Sequence, residues 1–250
     1  MRKRFVIGNW KMNGDTASIT DLLANLKINY VNEVGVAVLP PYLYLSQVIT
    51  QLKNTPIQWG AQNVSDAEIG AYTGEISAKM LHEFQCSYVL VGHSERRILY
   101  KEDDELIAKK FITAKKYNLT PVLCIGETKA QRDQNQTINV LKEQLTLLLE
   151  QFPEASAFEQ AIIAYEPIWA IGSGNAASAD EAQEIHASIR DFIASYNKTL
   201  AVKLPLIYGG SVTSKNAKSL FDKPDIDGGL IGGASLNSKE FMLIYEAAVT

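Results

Sequence analysis

The sequence predicts a (β/α)8 barrel, an α/β fold of eight parallel strands with an outer ring of helices. Three observations carry that expectation. Apolar runs alternate with amphipathic stretches from end to end, one unit about every 30 residues. The runs are nearly continuous in Val, Ile and Leu, as strands are when helices cover one face and a packed interior fills the other. The length of 250 residues is what such a barrel typically needs. An open doubly wound sheet, the rival arrangement, would carry a GxGxxG turn after its first strand, where this chain reads Gly8-Asn9-Trp10-Lys11. No low-complexity linker and no close repeat interrupts the rhythm, so one domain over residues 1–250 is expected.

The elements follow in order. Strands are expected at Phe5–Asn9, Val34–Leu39, Ile57–Gln62, Tyr88–Gly92, Pro121–Ile125, Ala161–Tyr165, Leu204–Tyr208 and Gly228–Ile231. Between them, apolar positions recur at helical spacing, as from Glu105 through Phe111 to Tyr117 and from Val140 through Leu145 and Leu149 to Phe152. Ser178-Ala179-Asp180-Glu181 has the S-x-x-E form of a capping box, which starts the helix after the sixth strand. The last helix runs from Ser238 through Phe241, Ile244 and Tyr245 to Val249.

Composition narrows the function classes. Hydrophobic residues make up 46% and charged residues 21%, ordinary for a globular protein. A net charge of −4 and a pI near 5.5 argue against general nucleic-acid binding, which needs a concentrated basic surface. Arg2-Lys3-Arg4 reads as a solvated start that leads directly into core-like Phe5-Val6-Ile7, without the pattern of a signal peptide. No window reaches the ~18 to 20 apolar residues of a membrane span. The two cysteines, Cys86 and Cys124, form no CxxC and sit in or beside apolar runs, so buried free thiols are expected. The reading is a cytoplasmic protein with no partner among membranes or nucleic acids.

In a barrel of this kind, chemistry gathers at the carboxyl ends of strands. The first ends in Asn9 and Lys11, two apart, so in an extended segment both face the mouth. An amide and an ammonium there could bind an anion and stabilise a developing oxyanion; an exposed Lys beside a turn Asn is the plain alternative. The fourth strand ends Gly92-His93-Ser94-Glu95-Arg96. Of three histidines, only His93 stands at a strand end; His82 and His186 lie in helical segments and suit surface or packing roles. A helical turn starting at Ser94 would hold His93 neutral, still able to donate one hydrogen bond.

The sixth strand ends in Tyr165-Glu166-Pro167. Partial burial is expected to raise the pKa of Glu166 toward that of a useful base, though a salt-bridged structural Glu is the alternative. Pro167 through Gly174, apolar in the middle and rich in glycine at its end, reads as a lid that excludes water. The last two strands end Gly209-Gly210-Ser211 and Gly232-Gly233-Ala234-Ser235. Backbone N–H groups can approach a phosphate there, although either glycine pair alone is explained by a tight turn. One base, one neutral electrophile, one cation and a phosphate cradle need no metal and no organic cofactor. They suit proton abstraction beside a carbonyl in a small phosphorylated substrate. Lys11 as the Schiff-base lysine of a phosphosugar aldolase, and a non-catalytic phosphate-binding barrel, are the competing readings.

These residues resemble the triosephosphate isomerase family. The most specific segments are Val91-Gly92-His93-Ser94-Glu95-Arg96-Arg97 and Ala164-Tyr165-Glu166-Pro167-Ile168-Trp169-Ala170-Ile171-Gly172, with Tyr208-Gly209-Gly210-Ser211-Val212 after them. The resemblance implies interconversion of dihydroxyacetone phosphate and D-glyceraldehyde 3-phosphate in glycolysis and gluconeogenesis. It implies Glu166 as base, His93 as electrophile, and Asn9 and Lys11 as groups that bind substrate and stabilise the enediolate. Backbone N–H groups of Gly172, Ser211, Gly232 and Gly233 would hold the phosphate. Ser94 and Glu95 resemble supporting residues, one near the base and one beside Lys11. It further implies a homodimer, with Thr73 of the Val64–Glu75 loop inserted near Lys11 of the other subunit. One departure is Gly172-Ser173-Gly174-Asn175, where the family commonly has Gly-Thr-Gly-Lys.

Overall fold

The computed structural model describes residues 2–151, 153–170 and 177–249. The strands are β1 (Arg4–Asn9), β2 (Val34–Leu39), β3 (Gln58–Ala61), β4 (Tyr88–Val91), β5 (Thr120–Ile125), β6 (Ile162–Tyr165), β7 (Leu206–Tyr208) and β8 (Gly228–Ile231). They form a closed barrel in sequence order, every pairing parallel, with Phe5 of β1 opposite Gly228 of β8 at the seam. The expected strands are all present, with ends shifted by at most a few residues.

Successive side chains on a strand alternate between two cores. Ile7, Leu90, Cys124, Ala164, Ile207 and Leu230 fill the barrel interior. Val6, Val89, Val91, Ile125, Tyr165 and Tyr208 point outward and pack under the helices. That alternation positions the site. On β1 the inward residue after Ile7 is Asn9; beyond β6 the inward series Ile162, Ala164 continues to Glu166.

The helices begin where local chemistry dictates. Ala179–Tyr196 starts with the expected capping box, in which Ser178 and Glu181 satisfy each other's backbone N–H groups. Asp103 caps Asp104–Lys116 by accepting from the Leu106 N–H. Cys86 and Cys124 are free and buried, and burial pushes the Cys86 thiol up to about 12. His82 is exposed, whereas His186 is fully buried against Tyr165 and Tyr208. Among the described residues, no helix is long and apolar enough to cross a membrane. Ile171, Gly172, Ser173, Gly174 and Asn175, the second half of the expected lid, lie outside the described residues.

Candidate active site

A cavity of about 290 Å³ opens at the carboxyl ends of the strands. Its lining brings together Asn9, Lys11, His93 and Glu166 with Ser211, Gly232 and Gly233. Residues from five different strand ends therefore converge on one hollow.

Lys11 does not reach the cavity by strand alternation, because β1 ends at Asn9 and Lys11 adopts φ 53°. That left-handed backbone is unfavourable for a residue with a side chain, so neighbours must hold it. The Lys11 N–H donates to Asn9 Oδ1 at 3.0 Å, and Gln62 Nε2 donates to the Lys11 carbonyl at 2.9 Å and the Leu39 carbonyl at 2.8 Å. The ammonium then lies 2.6 Å from Glu95 Oε1.

His93 caps the helix Ser94–Leu99 with its own ring: Nδ1 accepts the Glu95 N–H at 3.3 Å. With Nδ1 an acceptor, the ring proton of the neutral form resides on Nε2. Nε2 lies 3.0 Å from Glu166 Oε1, and the other carboxylate oxygen accepts the Ser94 N–H at 3.0 Å. Glu166 is 2% exposed, so this is a buried, doubly anchored carboxylate.

Those partners correct two expectations. Burial alone would raise the Glu166 pKa, but His93, the Ser94 N–H and Lys11 outweigh it and hold it below the usual carboxylate value. Burial likewise pushes His93 down, yet the Glu166 carboxylate pulls it above its ordinary value. The helix start does supply an N–H that favours the neutral ring, as expected; the adjacent carboxylate opposes it.

The close quarters around Glu166 depend on two glycines. A Cβ at Gly209 would stand 2.8 Å from Glu166 Cγ, and one at Gly126 would stand 1.8 Å from the Glu166 carbonyl oxygen. The sequence reading marked neither as a neighbour of the base. It also missed Glu127, whose carboxylate accepts the Trp169 indole N–H at 2.8 Å and the Tyr165 hydroxyl at 3.2 Å. Trp169 is half-buried against the core and is not an exposed loop residue. Gly126 and Glu127 follow β5 directly, so a search of every strand end, including those without a familiar motif, could have found them.

Across the Lys11–Glu95 pair lies a second hollow, of about 310 Å³, lined by Met12, Gln62, Arg96 and Tyr100 among others. Met12 is 95% exposed on its rim. The Val64–Glu75 loop follows directly after Asn63 of that lining, with Ile69, Tyr72 and Thr73 exposed. The loop is nevertheless well tied. Glu68 binds Lys116 and Tyr117, Thr113 donates to the Asp66 carbonyl, and the Ser65 N–H donates to Ile76.

A family model described as triosephosphate isomerase matches residues 4–248. The triosephosphate isomerase of Nitrosococcus oceani is 51% identical over 252 aligned residues, covering 99% of this chain and 100% of that protein. Those of Nitrosomonas eutropha and Coxiella burnetii are 49% and 46% identical, over 99% and 97% of this chain and 98% and 96% of theirs.

Proposed function

The chain belongs to the triosephosphate isomerase family, and from that premise we propose how its residues divide the work of the reaction. The enzyme interconverts dihydroxyacetone phosphate and D-glyceraldehyde 3-phosphate by proton transfer through an enediolate. Glu166 removes a proton from the carbon beside the carbonyl and returns it to the neighbouring carbon. His93 donates from Nε2 to the carbonyl oxygen, and Lys11 and Asn9 bind substrate and stabilise the negative oxygen. Backbone N–H groups of Gly172, Ser211, Gly232 and Gly233 hold the phosphate.

The observation that carries this division is the 3.0 Å contact between His93 Nε2 and Glu166. It sets base and electrophile side by side with the ring proton between them. When Glu166 turns to the substrate carbon, the charge that raised the His93 pKa moves away. Burial and the Glu95 N–H then favour the neutral imidazole, which is the donor the enediolate needs. The pairing of a Glu base with a neutral His in this family is a general precedent for that assignment.

The active unit is a homodimer of one-domain barrels in the cytoplasm, with Thr73 seated in the partner's hollow beside Lys11. Support comes from an anchored loop presenting exposed Ile69 and Tyr72, and from an open hollow rimmed by exposed Met12, Leu99 and Tyr100.

A coupled assay with glyceraldehyde 3-phosphate, run after exhaustive chelation, tests the reaction. Borohydride treatment in the presence of dihydroxyacetone phosphate, followed by intact mass, tests Lys11. Turnover without an adduct is expected; a stable adduct on Lys11 would move the assignment to a Schiff-base aldolase.

A further inference from the structure

We infer that Arg132 is a positioning residue for the base, through the turn that carries Trp169. The inference rests on the assignment of Glu166 as base. Arg132 sits in the short helix Lys129–Asp133 after β5, outside the cavity. Its guanidinium lies over the Trp169 ring, 4.2 Å from the centroid. One nitrogen donates to Glu181 Oε1 at 2.9 Å, and another is 3.8 Å from Glu127 Oε1. One side chain thus touches both sides of the connection between β6 and the helix Ala179–Tyr196.

On the β6 side, Trp169 belongs to the one-turn helix Ile168–Ala170, only three residues beyond Glu166. Glu127 holds the edge of the indole through Nε1 and also accepts from the Ile168 N–H through its backbone carbonyl at 3.2 Å. Arg132 covers the face. On the other side, Glu181 is the residue that closes the capping box on Ser178. An exposed Arg–Glu pair contributes little alone. Here the same guanidinium is also stacked on an aromatic face and near a second, buried carboxylate, which is the arrangement Arg serves and Lys does not. Arg132 fixes the distance between the Trp169 turn and the start of the next helix, so that Glu166 has one retracted position on His93 and Ser94 to leave from and return to.

The test compares Arg132→Ala, Arg132→Lys and Glu181→Gln with the parent chain, each carrying 5-fluorotryptophan, the Trp169 resonance being identified by its loss in Trp169→Phe. Arg132→Ala is expected to lower kcat by about tenfold, the scale of a partly desolvated cation–π contact, with KM changed less. Its Trp169 fluorine resonance should shift or broaden, and should respond differently to glycerol 3-phosphate, while those of Trp10 and Trp59 stay in place. Arg132→Lys should recover part of the loss, because charge survives without the planar stack. Glu181→Gln keeps a capping acceptor and should lose less, and adding it to Arg132→Ala should cost nothing further. Parent-like kcat and an unmoved Trp169 signal in Arg132→Ala would overturn the proposal, as would additive losses in the double variant. If Arg132→Ala proves too unstable to assay, the Glu181→Gln and Arg132→Lys fluorine signals decide by the same criterion. Failure of the isomerase assignment itself would show separately, as absence of turnover in the parent.

Discussion

Glu166 owes its behaviour to atoms that surround it at contact distance. Two hydrogen bonds hold its carboxylate, and Gly209 leaves room for its Cγ where a methyl group would stand at 2.8 Å. Shortening the side chain in Glu166→Asp displaces the carboxylate by about one methylene, and misplacement of that order can cost ~10²-fold in rate. Glu166→Ala should lose at least the ~10²- to 10⁴-fold ascribed to general acid–base catalysis. Gly209→Ala pushes on the same carboxylate from behind without touching its chemistry. We expect kcat to fall several-fold to ~10²-fold, with the unfolding temperature little changed. Steady-state kinetics beside thermal unfolding separate the two effects; parent-like kcat in purified Gly209→Ala would show that the crowding does not matter.

At the scale of elements, the helix Ala179–Tyr196 does more than cover the barrel. It buries His186, whose Nδ1 lies 3.1 Å from the Asp225 carbonyl and whose Nε2 finds no hydrogen-bond partner among the described residues. Burial lowers its pKa from 6.5 to about 4. Below pH 6.5 the unfolded chain therefore takes up a proton that the folded chain refuses. Stability from this ring is fully present above 6.5, falls as pH drops, and levels off below about 4, a change on the order of 3 kcal/mol. Denaturant unfolding of His186→Phe should show a shallower acid slope than the parent over that window; parallel slopes would remove His186 from the account. Much of this level was legible in the sequence. The strands announce themselves by continuous apolar runs, and Ser178-x-x-Glu181 states its own helix start. The bent Lys11 backbone, held by Gln62 from a distant strand end, was not legible, because periodicity describes neighbours along the chain and says nothing of contacts across it. The direction of the Glu166 pKa failed for a related reason: an apolar strand signals burial but does not name the donors waiting at its end.

The barrel as a whole closes on itself, yet it leaves Met12 95% and Leu99 69% exposed around one hollow, and Ile69 86% exposed on the 64–75 loop. Exposed apolar side chains of this kind can mark an interaction site, and they are the ground on which the dimer is proposed. Deleting residues 69–75 should yield a folded monomer with unchanged far-UV circular dichroism and severely reduced turnover, since Lys11 loses the neighbour proposed to orient it. A parent chain that sediments as a fully active monomer at micromolar concentration would sink the dimer reading. In the proposed reaction one buried carboxylate carries a proton between adjacent carbons while a neutral ring serves the oxygens. Turnover of glyceraldehyde 3-phosphate in D₂O, followed by proton NMR, addresses it directly. Dihydroxyacetone phosphate is expected to gain solvent deuterium on the carbon that received the proton as turnovers accumulate, because a carboxylic acid exchanges its proton with solvent. Product still free of deuterium at that carbon after many forward and reverse turnovers would mean that hydrogen passed between the carbons as hydride, and would contradict the role given to Glu166.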